Sequence, residues 1–232
     1  MKNNKIVLII ASHPDDEVLG CGGTINKMST EGHRVHILIL GEGLTSRNTK
    51  RDMRVFQKKL NQLHKEVGKA TKILGAASCE ILNYPDNRFD SIDLLDIVKS
   101  IEIKKNIIKP DIIFTHHSED LNIDHRITFQ AVLTACRPLK NESVKEIYSF
   151  EIASSTEWQT QKPEYMFCPT QYVKLNESNL MKKIMAMEIY SSEKRKYPHP
   201  RSPEAIKILA QYRGVNIGVE FAECFEVVRR IK

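Results

Sequence analysis

Three carboxylates and one imidazole lie together near the beginning of the chain, in the segment Ser12-His13-Pro14-Asp15-Asp16-Glu17. Adjacent carboxylates repel one another unless a cation or hydrogen bonds compensate their charge. His13 and Asp16, three residues apart across a turn, can both face one divalent ion, which leaves Asp15 free as a base. Zinc suits imidazole and carboxylate ligands, with iron or another divalent ion as the alternative. A simpler interpretation is an acidic cap on a helix N-terminus, whose free N–H groups favour negative charge.

A second polar cluster extends from His116 to Arg126 and includes Asn122, Asp124 and His125. Like the first cluster, it follows an apolar run and precedes a segment with helical character. Loops of this kind meet at the carboxyl edge of a parallel sheet, where open α/β proteins bind their ligands. A third metal ligand from this cluster would give three protein ligands and one open position, which is the coordination of a catalytic zinc.

Both clusters lie where a predicted strand ends and a predicted helix begins. The run Ile6–Ala11 is short, apolar and rich in β-branched residues, which is typical of a strand buried on both faces of a parallel sheet. Strands and helices then alternate, so the sequence predicts an α/β fold with a mainly parallel sheet flanked by helices. The predicted strands are 6–11, 35–40, 79–82, 111–115, 147–151 and 221–230, and the predicted helices are 18–31, 50–74, 92–108, 124–137, 178–190 and 204–212.

The composition is ordinary for a globular protein, with 41% hydrophobic and 28% charged residues among 232. This length predicts one α/β domain over residues 1–232, without a second domain. No apolar run approaches the roughly 20 residues of a membrane span, and no cleavage site follows residue 11, so we expect a cytoplasmic protein. Five scattered cysteines without a C-x-x-C pair argue against a disulfide framework or a cysteine-zinc site.

The net charge is +6, and the lysines and arginines are spread along the chain. This distribution favours a solvated basic surface over a nucleic-acid partner, and it is compatible with an anionic small substrate. The loop after the third predicted strand contains Asp86 and Arg88, which we expect to hydrogen-bond a polar ligand. The sequence leaves the oligomeric state open, including a homo-oligomer.

Segment 12–17, together with Asp124-His125, resembles two motifs of the LmbE/PIG-L family of zinc-dependent de-N-acetylases, A-H-P-D-D-E and H-x-D-H. Residues 213–225 are also similar to the R-G…G…A-E-x-F ending of many members. The resemblance implies a Rossmann-like fold and hydrolysis of the acetamide of an N-acetylated amino sugar or its conjugate, of the N-acetylglucosamine type. Position by position, it implies that His13, Asp16 and His125 are metal ligands, Asp15 is the base that activates water, and Asp86 binds sugar.

One position departs from the family pattern, because Asn122 replaces the first histidine of H-x-D-H. That histidine is often assigned as general acid or oxyanion stabiliser, whereas asparagine can donate a hydrogen bond to a substrate but cannot deliver a proton at neutral pH. We hypothesise that His199, in the proline-rich segment 197–203, takes the acid role, while Arg201 holds the substrate and Asp124 orients a histidine.

Other assignments remain open at the level of sequence. His116 and His117 are rivals of His199, because they lie near the end of the fourth predicted strand. A different amide hydrolase on the same fold is the nearest alternative enzyme. A non-catalytic family member, or a nucleotide- or nucleic-acid-binding α/β module, is the alternative outside the enzymes.

Overall fold

Seven strands form one sheet within residues 4–47 and 53–231, the parts of the chain that the computed structural model describes. The strands are β1 Ile6–Ala11, β2 Arg34–Gly41, β3 Ser78–Tyr84, β4 Ile112–His116, β5 Glu146–Phe150, β6 Gln171–Leu175 and β7 Phe221–Arg230. Their order across the sheet is β3-β2-β1-β4-β5-β7-β6. The strands from β3 to β5 are parallel, whereas β7 runs antiparallel to both of its neighbours.

The chain reverses its direction of travel across the sheet between β1 and β4. From β1 it moves outward to β2 and β3, and it then returns to place β4 on the other side of β1. The loops that leave β1 and β4 therefore diverge at the same edge and open a crevice between them. The two polar clusters of the sequence lie in these two loops.

The apolar run of β1 is buried because helices cover both faces of the sheet. Val7, Leu8, Ile9 and Ile10 are each at most 1% exposed. Alternate residues enter opposite cores, since Val7 and Ile9 join one apolar cluster and Leu8 and Ile10 join the other. This double burial explains why the strand has no polar face.

Six helices of the described residues flank the sheet: α1 Asp16–Thr30, α2 Met53–Leu74, α3 Leu94–Ile108, α4 Ile123–Ala135, α5 Glu177–Ile189 and α6 Pro203–Val215. Helices α1, α2, α5 and α6 contribute to the core on one face of the sheet. Helices α3 and α4 contribute to the core on the other face. None of the described helices is long and apolar enough to cross a bilayer.

The structure confirms the predicted fold class and corrects one element. Each predicted strand and helix is present to within a few residues of its predicted ends, although residues 50–52 of the second predicted helix lie outside the described residues. Strand β6 was not predicted. Its five residues are mostly half-buried and include Gln171 and Lys174, so they lack the apolar run that marks the central strands.

Candidate metal centre and active site

A cavity of about 240 Å³ lies at the carboxyl edge of the parallel strands. Its lining comes from the loops after the first five strands and from the connection between α5 and α6, which makes it a joint product of distant segments. The lining residues are His13, Pro14, Asp15, Asp16, Gly43, Ser46, Asp86, Asn87, Asn122, His125, Ser154, Ser155, Glu193 and Arg201.

The turn from β1 into α1 fixes the first group of site residues. Asp15 occupies the N-cap position with a φ of 103°, in the left-handed region that non-glycine residues rarely adopt. Its backbone N–H donates to Glu17 Oε2 at 3.1 Å, and Glu17 Oε1 accepts from the Tyr190 hydroxyl at 2.5 Å. Burial raises the pKa of Glu17 to about 7. Glu17, the last acid of the motif, therefore stabilises the turn through these hydrogen bonds and does not line the cavity.

Three side chains of the cavity form a triangle of ligand atoms. His13 Nδ1 lies 3.4 Å from Asp16 Oδ2, and His125 Nε2 lies 3.3 Å from the same oxygen. One ligand atom from each residue lies within 4.8 Å of the other two. Ligands bound to a tetrahedral zinc at about 2.0–2.1 Å are themselves separated by about 3.4 Å. Two imidazole nitrogens and one carboxylate oxygen thus fit a divalent ion in both spacing and chemistry.

Each histidine of the triangle is backed by a buried carboxylate. Asp124 Oδ2 lies 2.9 Å from His13 Nε2, and Asp120 Oδ1 lies 3.0 Å from His125 Nδ1. Asp124 is fixed in turn because its Oδ1 accepts the backbone N–H of Phe89 at 2.9 Å. A carboxylate behind one ring nitrogen holds the proton there, so the opposite nitrogen presents its lone pair to a metal.

A second grouping, of His13, Asp86 and Asp124, also has ligand atoms within 4.8 Å of one another. It shares His13 with the first triangle, but it would use the carboxylate that supports this ring. The first triangle leaves both supporting carboxylates in place, and it is the better fit to a metal centre.

Electrostatics within the triangle favour a cation. Burial alone would raise the pKa of Asp16, but the charge of His125 and hydrogen bonds from His125 and His13 hold it well below its usual value. Burial alone would lower the pKa of His125, yet Asp16 and Asp120 raise it to about 9. The cluster therefore binds protons when no metal is present, and metal binding there is coupled to proton release.

Asp15 is held on the cavity wall by a guanidinium group. Arg201 Nη1 donates to Asp15 Oδ2 and to Glu193 Oε2, each at 2.9 Å, while its Nε donates to Ser154 Oγ at 2.8 Å. Burial raises the pKa of Asp15 well above its usual value, Arg201 opposes this shift, and Asp16 and Glu193 add to it. Asp15 is thus a carboxylate with a high affinity for a proton, placed one residue before a ligand of the triangle.

Two predicted substrate-binding residues also line the cavity. Asp86 is 5% exposed, and its Oδ2 accepts from the Ser46 backbone N–H at 3.2 Å and from the Ser46 hydroxyl at 2.5 Å. Asn122 caps α4, because its Oδ1 accepts the Asp124 N–H at 2.9 Å. Because the side-chain oxygen of Asn122 accepts this hydrogen bond, the side-chain NH₂ group of Asn122 is left to donate to a ligand.

Other predicted site residues are not brought into the cavity. Arg88 is exposed and does not line it, although Asn87 just before it does. His199 does not line it either. The His199 Nδ1 accepts the Arg201 N–H at 3.1 Å, and its ring packs edge-to-face with Trp158 at 5.9 Å. The acid role of His199 stays a prediction.

The rival histidines have structural partners. His116 is fully buried, stacks on His125 at 4.0 Å, and its Nε2 accepts the Ser12 N–H at 2.8 Å. Burial, with the charge of His125, holds the pKa of His116 well below its usual value, so it is a neutral support for a ligand ring. His117 Nδ1 pairs with Glu226 Oε2 at 2.8 Å, and His117 does not line the cavity.

Sequence analysis missed Glu193 and gave no role to Asp120. Asp120 belongs to the second polar cluster, and a carboxylate near a predicted ligand histidine is a signal that could have marked it. Glu193 follows a helix in a segment without any motif, and only the fold brings it to Arg201. No local signal identifies a residue of that kind.

The fold and the cavity define a class of protein: an α/β protein with a mainly parallel sheet, whose switch point holds a His-Asp-His cluster suited to a divalent ion, beside a buried carboxylate. Comparison with known proteins agrees with this class. The chain matches the family described as PIG-L, GlcNAc-PI de-N-acetylase, over residues 8–136, which is more than half of its length. The chain belongs to this PIG-L family of de-N-acetylases.

Two curated relatives are named deacetylases. The chain is 29% identical over 193 residues to the uncharacterized deacetylase YaiS of Escherichia coli K12, covering 81% of this chain and 91% of that protein. It is 25% identical over 153 residues to a probable N-acetyl-α-D-glucosaminyl L-malate deacetylase 2 of Bacillus cereus, covering 65% and 70% of the two chains.

Solved structures show the same fold. The N,N'-diacetylchitobiose deacetylase of Pyrococcus horikoshii superposes with a TM-score of 0.76 at 22% identity, over 98% of this chain and 85% of that one. The 4-carboxy-2-hydroxymuconate hydratase GalB of Pseudomonas putida KT2440 superposes with a TM-score of 0.73 at 20% identity, over 98% of each chain. The fold is thus shared by proteins named for different reactions, and the site must decide the chemistry.

Proposed function

We propose that this protein hydrolyses the acetamide of an N-acetylated amino sugar, of the N-acetylglucosamine type, or of its conjugate, and that it releases acetate and a free amine. The observation that carries the proposal is the His13, Asp16 and His125 triangle, which shares its cavity with the buried carboxylate of Asp15. These are the side chains that a metal-dependent amide hydrolase needs in one place.

His13, Asp16 and His125 would hold a divalent ion, and zinc is the metal that we propose. When bound there, such an ion supplies Lewis acidity, which lowers the pKa of water and polarises a carbonyl group. Asp15 accepts the proton of the attacking water, and the burial that raises its pKa strengthens it as a base. Arg201 holds Asp15 in position and balances part of the negative charge of the cavity.

The departing amine needs a proton, and two groups are candidates for its source. Asp15 can return the proton that it accepted, since it lies in the cavity throughout. His199 is the second candidate, two residues from Arg201 on the segment that closes one side of the cavity. We retain His199 as the proposed acid and Asp15 as the alternative.

The substrate class rests on the cavity and on the names of the relatives. Almost every lining residue is polar, which suits the hydroxyl groups of a sugar ring. Carboxylates outnumber the single arginine of the lining, and that arginine is bound by Asp15 and Glu193. A neutral N-acetylated ring therefore fits the cavity better than an anionic one, and any anionic part of the substrate would lie outside it.

Incubation of the zinc-loaded protein with a panel of acetylated sugars tests the proposal. The panel contains N-acetylglucosamine, N,N'-diacetylchitobiose and an N-acetylglucosaminyl conjugate, with free amine and acetate as readouts. We expect turnover of at least one sugar, and a fall in kcat of about 10²–10⁴-fold in Asp15→Asn with bound zinc retained. Asp90→Asn, which changes an exposed carboxylate outside the cavity, is the matched control.

Three results would count against this proposal. Absence of acetate from every sugar would show that the substrate is not of this class. Unchanged turnover in Asp15→Asn would remove Asp15 as the base, whatever the substrate. A protein without stoichiometric metal and without turnover would favour the non-catalytic alternative.

A further inference from the structure

We propose that Trp158 forms a second sugar subsite at the mouth of the cavity, so that the enzyme prefers a substrate with a second pyranose ring beyond the acetylated one. The inference rests on the proposed function and adds the substrate class that the cavity alone does not define. Trp158 is the only tryptophan of the chain, and it is 55% exposed. Its exposed aromatic face is a surface on which the apolar face of a ligand can pack.

The segment that carries Trp158 is anchored to the metal centre. The Ser155 and Thr156 hydroxyls both donate to Asp120, the carboxylate that supports His125. Ser154 and Ser155 line the cavity, and the backbone N–H of Trp158 donates to the backbone carbonyl of Ser155 at 3.1 Å. The indole therefore stands one short turn away from the cavity wall, on a backbone whose position is fixed.

A second segment holds the indole from the other side. Arg201 Nε donates to Ser154 Oγ at 2.8 Å and joins the two segments across the cavity wall. The ring of His199 packs against the indole at 5.9 Å with an interplanar angle of 79°. Arg201 lines the cavity, whereas His199 and Trp158 do not, so we place the indole outside the cavity, beside the segment that carries Arg201.

The surroundings of Trp158 suit a pyranose. The residues that follow it in the chain, Gln159, Thr160 and Gln161, are polar. A pyranose has a face of C–H groups and a rim of hydroxyls. Its C–H face can pack on an exposed aromatic ring, while its hydroxyls stay in contact with water or polar groups.

An apolar groove nearby would suit a different kind of ligand. It is lined by residues that include Tyr197, Ile208 and Tyr212. Its lining also includes Ala153 and Pro200, which are sequence neighbours of Ser154 and Arg201 in the cavity wall. An acyl chain would fill this groove, whereas Trp158 is not part of its lining. If efficient hydrolysis of a disaccharide without a long acyl chain depends on Trp158, the ligand at Trp158 is a sugar and not an acyl chain.

Kinetics with two sugars test the inference. We compare N,N'-diacetylchitobiose with N-acetylglucosamine and measure the ratio of their kcat/KM values. In Trp158→Ala this ratio should fall about tenfold, mainly through the KM of the disaccharide, and Trp158→Phe should restore most of it. Ile107→Ala, which truncates a 73%-exposed residue on α3, is the control and should leave the ratio unchanged.

Fluorescence of the single tryptophan gives an independent readout. With zinc-loaded Asp15→Asn, which binds without rapid turnover, the disaccharide should change the emission of Trp158 saturably, and the monosaccharide should change it much less. An unchanged kcat/KM ratio in Trp158→Ala, or the same emission change with both sugars, overturns the subsite even when deacetylation itself is observed. Lack of turnover of both sugars by the wild type overturns the subsite, and the proposed function fails with it only if the N-acetylglucosaminyl conjugate is not hydrolysed either.

Discussion

At the scale of the residue, chemically similar acids have different tasks because their surroundings differ. Asp16 has a lowered pKa and offers an oxygen to the ligand triangle, whereas Asp15 has a raised pKa and lies against Arg201. Glu17 is turned away and braces the loop through Tyr190. Three consecutive acids thus divide into a proposed ligand, a proposed base and a structural support.

The source of the leaving-group proton is a question for a single residue, His199. His199 Nδ1 accepts the Arg201 N–H, and asparagine can keep an acceptor at that position while it removes Nε2. If His199 is the acid, kcat of His199→Asn should fall about 10²-fold or more at unchanged zinc content. His64→Asn, at an exposed histidine of α2, is the matched control. Turnover equal to the wild type would exclude His199 and leave Asp15 as the group that returns the proton.

At the scale of the element, α1 carries the first motif and is interrupted in its interior. Cys21 has non-helical angles, φ −149° and ψ 25°, and the interruption frees backbone groups in a buried part of the helix. Glu223 on β7 accepts the N–H groups of Gly23 and Thr24 at 3.0 and 2.6 Å. Lys183 on α5 donates to the Leu19 carbonyl at 2.8 Å and to Glu223 at 2.6 Å.

Removal of one charge of this pair should destabilise the fold. Glu223→Gln leaves the Lys183 ammonium buried without a counter-charge, and we expect the free energy of unfolding to fall by about 3 kcal/mol in urea denaturation. Glu220→Gln, at an exposed position beside β7, should change it by less than about 0.5 kcal/mol. Addition of Lys183→Met to Glu223→Gln should recover part of the loss. Equal stability of the two single variants would show that the pair does not stabilise α1.

At the scale of the whole molecule, the switch point between β1 and β4 concentrates buried acidic groups, and Arg201 balances only part of their charge. The buried acids around the cavity include Asp15, Asp16, Asp86, Asp120 and Asp124. A divalent ion held by the ligand triangle would relieve their mutual repulsion and would bind the folded state only. Stability should therefore depend on the metal.

Thermal unfolding with and without zinc tests this dependence. Free zinc at a hundredfold excess over its Kd should stabilise the folded chain by about 2.7 kcal/mol. For a chain of this size, that corresponds to a rise in Tm of roughly 5–11 °C. Asp16→Asn, which changes the oxygen shared by both edges of the triangle, should lose most of the rise. The same rise in Asp16→Asn would place the stabilising metal elsewhere.

The sequence by itself determined the parts of this protein that depend on neighbours along the chain. Uninterrupted apolar runs such as Ile6–Ala11 identify buried parallel strands, and the polar clusters after them identify the edge where ligands bind. The motif around His13 was enough to name the family, which the match over residues 8–136 confirms.

Tertiary structure alone decided which distant groups meet. Asp124 supports His13 from 111 residues away, and Arg201 reaches Asp15 across 186 residues, contacts that no local period or spacing encodes. The half-exposed strand β6 escaped prediction because its place depends on pairing with β7. Local patterns reflect burial and backbone preference, whereas side-chain partnerships depend on how whole elements pack against one another. This is why the proposed ligands and a supporting role for Asp124 were predicted from the sequence, whereas the roles of Asp120 and Glu193 were not.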